Sequence, residues 1–367
     1  MCSPCDCAQK DAPNAHKPTP YELKQCRRCG SEPFVCIDKV RIECRQCFLD
    51  FCTKKFRTTI GKSKLVKNNE SILLAYSGGP SSTALLDLIY NGLTCEAGRE
   101  QKFRVCILHI DMSSIAHLRS DVLGDRNPEK RAGDLDRRIK FLARRYPAWP
   151  IYFATIEKYF KKGPGDLHTR QGSCHFSCPV YLKYDCDSDL YSKQLIDSIS
   201  ELCDDEFAES QMRSFLNNTI SDKTDRQQLV NDCCFKMIDQ IAADIKERDI
   251  EDLKYIMTGS AMTRLSNDLL VDVILGKGSG IGHAVRICDQ RNRIPIMRPL
   301  REFSNKEIAY YLKARDLLKD VVVTPNLMTF ADRKDTIQSL TESFLSRLSL
   351  YFPSTYNTLL NTGNKID

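Results

Sequence analysis

The chain has 367 residues, 42% of them hydrophobic, with 54 Lys or Arg against 48 Asp or Glu and a formal charge of +6. That length and composition read as globular, with material for one large core or a core plus a small module. No apolar run reaches the roughly 18 residues of a membrane span, and the opening MCSPCDCAQK lacks the charged-then-apolar pattern of a secretion signal, so a cytosolic protein without a membrane partner is expected.

Nine of the eighteen cysteines lie in the first 52 residues. In a reducing compartment they read as metal ligands, reactive thiols or core fillers rather than disulfides. Residues 1–20 are expected to be a disordered tail carrying Cys2, Cys5 and Cys7. Residues 21–67 then form a small basic module. Within it, Cys26-Arg-Arg-Cys29 and Cys44-Arg-Gln-Cys47 are two CxxC pairs with 14 residues between them, close to the spacing of a zinc ribbon. Two thiolates from each pair would complete a tetrahedral, closed and therefore structural zinc site. The competing reading is a plain hairpin with buried thiols.

Residues 1–70 hold fourteen Lys or Arg against eight Asp or Glu, an excess that equals the charge of the whole chain. The run Thr53 to Lys67, TKKFRTTIGKSKLVK, places Lys54, Lys55, Arg57, Lys62 and Lys64 around Phe56, a surface suited to a phosphate backbone. Beside a zinc-ribbon-like module this favours RNA; a solvated linker face is the alternative.

Residues 68–320 are expected to form an α/β domain. Ser71 to Asp87, SILLAYSGGPSSTALLD, runs an apolar strand into a Gly-Gly turn and a helix start. Ser77, Gly78, Gly79, Ser81, Ser82 and Thr83 would make a phosphate cradle, in which glycines permit close backbone approach and hydroxyls and amides gather at a positive helix end. No Lys follows the glycines, so this is not a Walker A loop. A strand, turn and helix without any ligand is the plain alternative.

The alternation continues with a helix over Ser81 to Asn91, a strand over Phe103 to Asp111, a helix over Asp134 to Arg145, and strands over Trp149 to Ile156 and Lys254 to Thr258. This order predicts a doubly wound parallel sheet with ligands at the carboxyl ends of its strands. There His109 and Asp111 are candidate nucleotide contacts or satisfied structural residues, and Thr258 to Arg264 would form a third loop. Residues 185–225 read as an acidic insertion with a helix near Asp189 to Leu202 and a loop after it. An amphipathic helix over Gln228 to Arg248 follows, with Cys233-Cys234 as core. The alternating glycines of Gly276 to Gly282 mark a loop or bend. Ser304 and Glu307 form a capping box, and residues 321–367 form a C-terminal helical segment and tail.

The double CxxC ending Cys44-Arg-Gln-Cys47-Phe48, the Lys55-Phe56-Arg57 element, Ser77-Gly78-Gly79 with Ser81-Ser82, and Arg298-Pro299-Leu300-Arg301 followed by Asn305-Lys306-Glu307-Ile308 together resemble the cytoplasmic tRNA 2-thiolation protein 2 family. The loop is similar to the SGGxDS pyrophosphatase loop, with Ser81 in the Asp slot. The resemblance implies a heterodimer with a catalytic paralogue, sulfur from a thiocarboxylated ubiquitin-related carrier, tRNA as the partner, and 2-thiouridine at the wobble position as product. It implies ATP with magnesium at the loop, although the acidic side chain that helps manage the metal is replaced. Cys174 and Cys178, in Cys174-His-Phe-Ser-Cys178, are candidates for a metal or a sulfur relay, or belong to a structural loop. No cysteine follows Thr258-Gly259-Ser260-Ala261, so an iron-sulfur cluster, which needs thiolates from both loops, is not expected within this chain. The expected role is a tRNA-binding support for the active subunit; the alternative is an ATP-dependent tRNA sulfurtransferase in its own right.

Overall fold

A computed structural model describes residues 25–37, 41–67, 69–94, 103–116, 128–160, 181–184, 206–219, 222–278, 280–322 and 336–366. The chain divides into two compact units, Met1–Asp50 and Phe51–Asp367. The division falls inside a helix, between Asp50 and Phe51.

The small unit is a hairpin of β1 (Val35–Ile37) and β2 (Arg41–Glu43), antiparallel with Cys36 opposite Ile42. It leads into α1 (Arg45–Ser63). Phe48, Cys52, Phe56 and Thr59, spaced by three or four residues, are its buried stripe.

In the larger unit β3 (Ser71–Ala75) enters α2 (Pro80–Thr94), and β4 (Arg104–Asp111) is followed by the short α3 (Ser113–Ala116) and by α4 (Pro128–Arg145). β5 (Ile151–Thr155) runs into a 3-10 turn at Ile156–Phe160, and β6 (Leu182–Tyr184) forms an edge. Then come α5 (Glu206–Thr219), α6 (Lys223–Arg248), β7 (Leu253–Thr258), α7 (Met262–Ile274) and α8 (Ile281–Val285). The two-residue strands β8 (Cys288–Asp289) and β9 (Ile296–Met297) precede α9 (Asn305–Ala314), a 3-10 turn at Leu318–Asp320, α10 (Ile337–Tyr351) and α11 (Thr355–Gly363).

The sheet order is β6-β5-β4-β3-β7-β9-β8. Pairings from β5 through β9 are parallel, and only the edge strands β6 and β8 are antiparallel. β4 is buried at seven of its eight positions, the near-continuous apolar run of a strand covered on both faces. One face meets α5 and α6 through Leu73, Leu108, Tyr152, Met212, Met237, Ile241 and Ile245. On α2, the buried Asp87 accepts from Arg145 of α4 and from Tyr311 and Arg315, at and just beyond α9, at 2.8–3.0 Å. That carboxylate ties three helices together.

Residues 206–219, expected as loop, form α5, whose Ala208, Met212 and Leu216 are fully buried at four-residue spacing. The helix expected at Asp189 to Leu202 lies outside the described residues. The C-terminal segment also packs as part of the unit: Leu360 of α11 joins Met262, Leu265, Leu269 and Val285 in a separate cluster. The predicted capping box is present, with Ser304 Oγ accepting the Glu307 N–H at 3.2 Å and Glu307 Oε2 accepting the Ser304 N–H at 2.9 Å.

Candidate functional site

In the small unit the chain turns sharply after Cys26. Its carbonyl accepts the Gly30 N–H at 2.9 Å, and its own N–H donates to Ser31 at 2.7 Å. Gly30 has φ +75°, which glycine adopts without strain. The second pair sits at a helix start rather than on a second knuckle: the Cys47 N–H donates to Cys44 Sγ at 3.4 Å and Cys47 lies in the first turn of α1. The hairpin joins the two pairs. One ligand atom from each of Cys26, Cys29, Cys44 and Cys47 falls within 4.8 Å of all the others.

Cys29 Sγ is 3.5 Å from Cys44 Sγ and 3.6 Å from Cys47 Sγ. Four thiolates around a tetrahedral zinc at about 2.3 Å stand about 3.8 Å apart, so the set fits such an ion. Burial opposes ionisation of Cys26, yet the backbone N–H groups of Cys44, Arg28 and Cys29 outweigh it and bring its thiol down to about 6. The Ser31 hydroxyl and N–H lower Cys29. Contact with Cys44 and Cys29 raises Cys47, because neighbouring thiolates repel without a cation between them. A metal held here by the four sulfurs would close the module around itself.

The second site lies at the carboxyl ends of β3, β4 and β7, adjacent because the sheet order is β4-β3-β7. Pro80 opens α2 and the Thr83 N–H donates to the Gly79 carbonyl at 3.0 Å, so Gly79 is the cap. The Ser-Ser pair is not the cap. Ser82 Oγ donates to the Gly79 carbonyl at 3.1 Å and lies 3.1 Å from Ser77 Oγ, while the Gly79 N–H reaches Ser77 Oγ at 3.4 Å. Ser77 is exposed, Gly78 buried and Ser81 half-buried. Thr83 is fully buried, its hydroxyl beside that of Tyr76. Gly259 presses on this helix start; a Cβ there would come within 2.7 Å of the Ser82 nitrogen. The Gly78 carbonyl accepts the Val322 N–H at 3.0 Å.

His109 donates from Nδ1 to the Tyr76 carbonyl at 2.7 Å, leaving Nε2 to accept from Arg138 Nη1 at 3.0 Å. Burial first and the Arg138 charge second push its pKa down to about 4, so the ring is neutral. Asp111 meets Arg131 Nε and the Ser113 hydroxyl, both at 2.7 Å, and Arg131 also binds Glu157 at 2.6 Å. Although burial raises Asp111, Arg131 outweighs it and holds the carboxyl low. His109 and Asp111, two candidate nucleotide contacts, are thus both engaged by the protein.

The basic set divides. Lys54, Lys62 and Lys64 are exposed and Arg57 is half-buried. Lys55 instead forms an ion pair with Glu307 at 2.9 Å and lies 4.7 Å from the centre of the Phe303 ring, while Phe56 is fully buried. Lys55 therefore holds α1 to α9 and leaves the surface set. Its phase on the helix, one residue before the buried Phe56 and four before Thr59, is the signal that a charge count overlooks. The acidic tie Asp87 was also missed, and a lone Asp inside an apolar helix was its only trace. Cys174 and Cys178 lie outside the described residues.

No protein-family model matches the chain. It is 30% identical to cytoplasmic tRNA 2-thiolation protein 2-B of Xenopus laevis over 94% of this chain and 68% of that one. It is 28% identical to cytoplasmic tRNA 2-thiolation protein 2 of Bos taurus over 100% of this chain and 73% of the relative. With the human protein of that name the identity is 25%, covering 95% and 68%. Among solved structures it is similar to the U34-tRNA thiolase NcsA from Methanococcus maripaludis, described with its 4Fe-4S cluster. That TM-score is 0.58 at 13% identity, over 94% of this chain and 87% of NcsA, a likeness of fold.

Proposed function

We propose, because the chain belongs to the cytoplasmic tRNA 2-thiolation protein 2 family, that it is the tRNA-binding, non-catalytic subunit of a cytosolic wobble-uridine thiolation complex. In this reading a catalytic paralogue adenylates the C2 oxygen of uridine and receives sulfur from a thiocarboxylated ubiquitin-related carrier. The present chain contributes RNA contacts and braces its partner. The cytosolic setting follows the names its relatives carry; no described helix is long and apolar enough to cross a membrane.

One observation carries the assignment of a supporting role. Ser81 stands where the pyrophosphatase loop has its acidic residue, and the hydroxyls of Ser77 and Ser82 bond within the loop. A loop without a carboxylate to manage magnesium, and with two of its hydroxyls already bonded to each other and to the loop backbone, is poorly made for adenylation. Cys26, Cys29, Cys44 and Cys47 would hold zinc, which supplies closure of the small unit rather than chemistry. No cysteine occurs from Thr258 to Arg264, so one loop that would share an iron-sulfur cluster offers no thiolate.

The RNA-facing set is Lys54, Arg57, Lys62 and Lys64. Filter binding of unmodified tRNA to the full chain tests it. The triple change Lys54→Glu, Arg57→Glu, Lys62→Glu is expected to weaken binding at least about tenfold and to flatten its dependence on salt. Unchanged affinity would place the RNA elsewhere.

A further inference from the structure

We propose that the phosphate loop is sealed by its own chain, with the Arg138 guanidinium and the Val322 backbone standing where a nucleotide phosphate would approach Gly78. The proposal deepens, and rests on, the reading of this loop as a relic nucleotide site.

A phosphate cradle works by offering N–H groups that have no partner until the anion arrives. Here the Gly79 N–H reaches Ser77 Oγ, and Ser82 Oγ is shared between Ser77 Oγ and the Gly79 carbonyl. The loop also meets two groups from distant segments. The Val322 N–H donates to the Gly78 carbonyl at 3.0 Å. Around the place a Cβ on Gly78 would occupy stand the Val322 oxygen at 3.4 Å, Arg138 Cζ at 3.5 Å and Arg138 Nε at 3.6 Å. Gly78 has φ +80°, so no other residue type sits there without strain.

Arg138 is held from behind. It is 7% exposed and donates to His109 Nε2 at 3.0 Å, while His109 donates to the carbonyl of Tyr76, the residue before the loop. Strand β4, helix α4 and the loop are thereby coupled through one neutral imidazole. A guanidinium serving as an anion ligand needs a face open to the ligand. This one is enclosed by the loop, His109 and Val322. Its fixed positive charge sits beside a loop whose magnesium-managing acid has become Ser81.

The test is calorimetric titration of the full chain with inorganic pyrophosphate and, separately, with ATP and magnesium. Wild type, Arg138→Gln and Val322→Pro are compared, with circular dichroism melts to establish folding. Gln keeps a donor for His109 and removes the charge; Pro removes the N–H that reaches Gly78 and also fixes φ, which is why the melts are needed for that variant. Loss of a positive charge weakens anion binding by ordinary electrostatics, so a seal predicts the opposite sign. Pyrophosphate is expected to bind at least about tenfold more tightly to Arg138→Gln than to wild type, with a gain in Val322→Pro as well. Tight binding by wild type that Arg138→Gln weakens would make Arg138 a ligand and overturn the proposal. No gain in either folded variant would overturn it too, since the loop would then be closed by its own hydroxyls alone. Binding of tRNA to the same samples reads the supporting role separately.

Discussion

At the scale of single residues, two buried polar groups decide how the site is held. His109 is neutral because burial and Arg138 push its pKa to about 4. In the unfolded chain it titrates near 6.5, so the unfolded state binds the proton first as pH falls. Its contribution is unaffected above about pH 6.5 and is lost progressively towards pH 4, by about 3 kcal/mol at the acid end. His109→Gln is expected to flatten the fall in melting temperature between pH 6.5 and 4; an unchanged slope would show that other groups govern it. Asp87 is fully buried and accepts from Arg145, Tyr311 and Arg315. Asp87→Ala leaves the Tyr311 hydroxyl without its acceptor and is expected to cost about 3–5 kcal/mol in urea unfolding. A loss below about 1 kcal/mol would mean that the two arginines find water instead. A satisfied structural His109 was one reading of the sequence; the role of Asp87 was not visible, because a buried carboxylate is identified by partners that lie 58 to 228 residues away.

At the scale of elements, the small unit and the C-terminal helices each depend on a close contact. Changing Cys44 and Cys47 to Ser removes half the thiolates of the four-sulfur set. Elemental analysis of purified protein is expected to find about one zinc per chain in wild type and none in the variant. Equal metal content would move the site elsewhere, and iron in place of zinc would reassign the centre. Gly282 lies against Ile366, whose carbonyl oxygen a Cβ would strike, and a Cβ on Gly363 would meet Leu269 and Val285 within 2.9 Å. Gly282→Ala is expected to strip hydrogen-exchange protection from α11 while leaving β3 and β4 protected. The central strands were legible because β3 and β4 are apolar runs bounded by turn residues. The strands β6, β8 and β9 were not, since two or three residues carry no period. Helix α5 was hidden because Glu206, Glu209 and the polar residues between its buried positions outweigh a stripe of only three apolar side chains.

At the scale of the molecule, the proposed RNA binding rests on the excess positive charge of the first 70 residues. The fold trims that excess: Lys55 goes to Glu307, and Arg28 lies 3.2 Å from Glu43. What remains on the exposed side of α1 is a short stripe opposite the buried Cys52, Phe56 and Thr59, the geometry of a helix packed on one side and open on the other. Reversing three of its charges is expected to lower the slope of log affinity against log salt by about two to three. The Gly-Gly turn into a helix, the double CxxC and the α/β order could all be read from residue types and spacing. Closure of the cradle could not, because Arg138 and Val322 reach Gly78 only through the tertiary fold.

Pyrophosphate release from ATP, with unmodified tRNA and a sulfur donor, tests the central claim most directly when the chain alone, the proposed catalytic paralogue alone and the mixture are compared. Turnover that includes this chain only in the mixture, and survives Ser81→Ala with Ser82→Ala, is the predicted result. Turnover by this chain alone, abolished by those two changes, would contradict it and make the chain a sulfurtransferase in its own right.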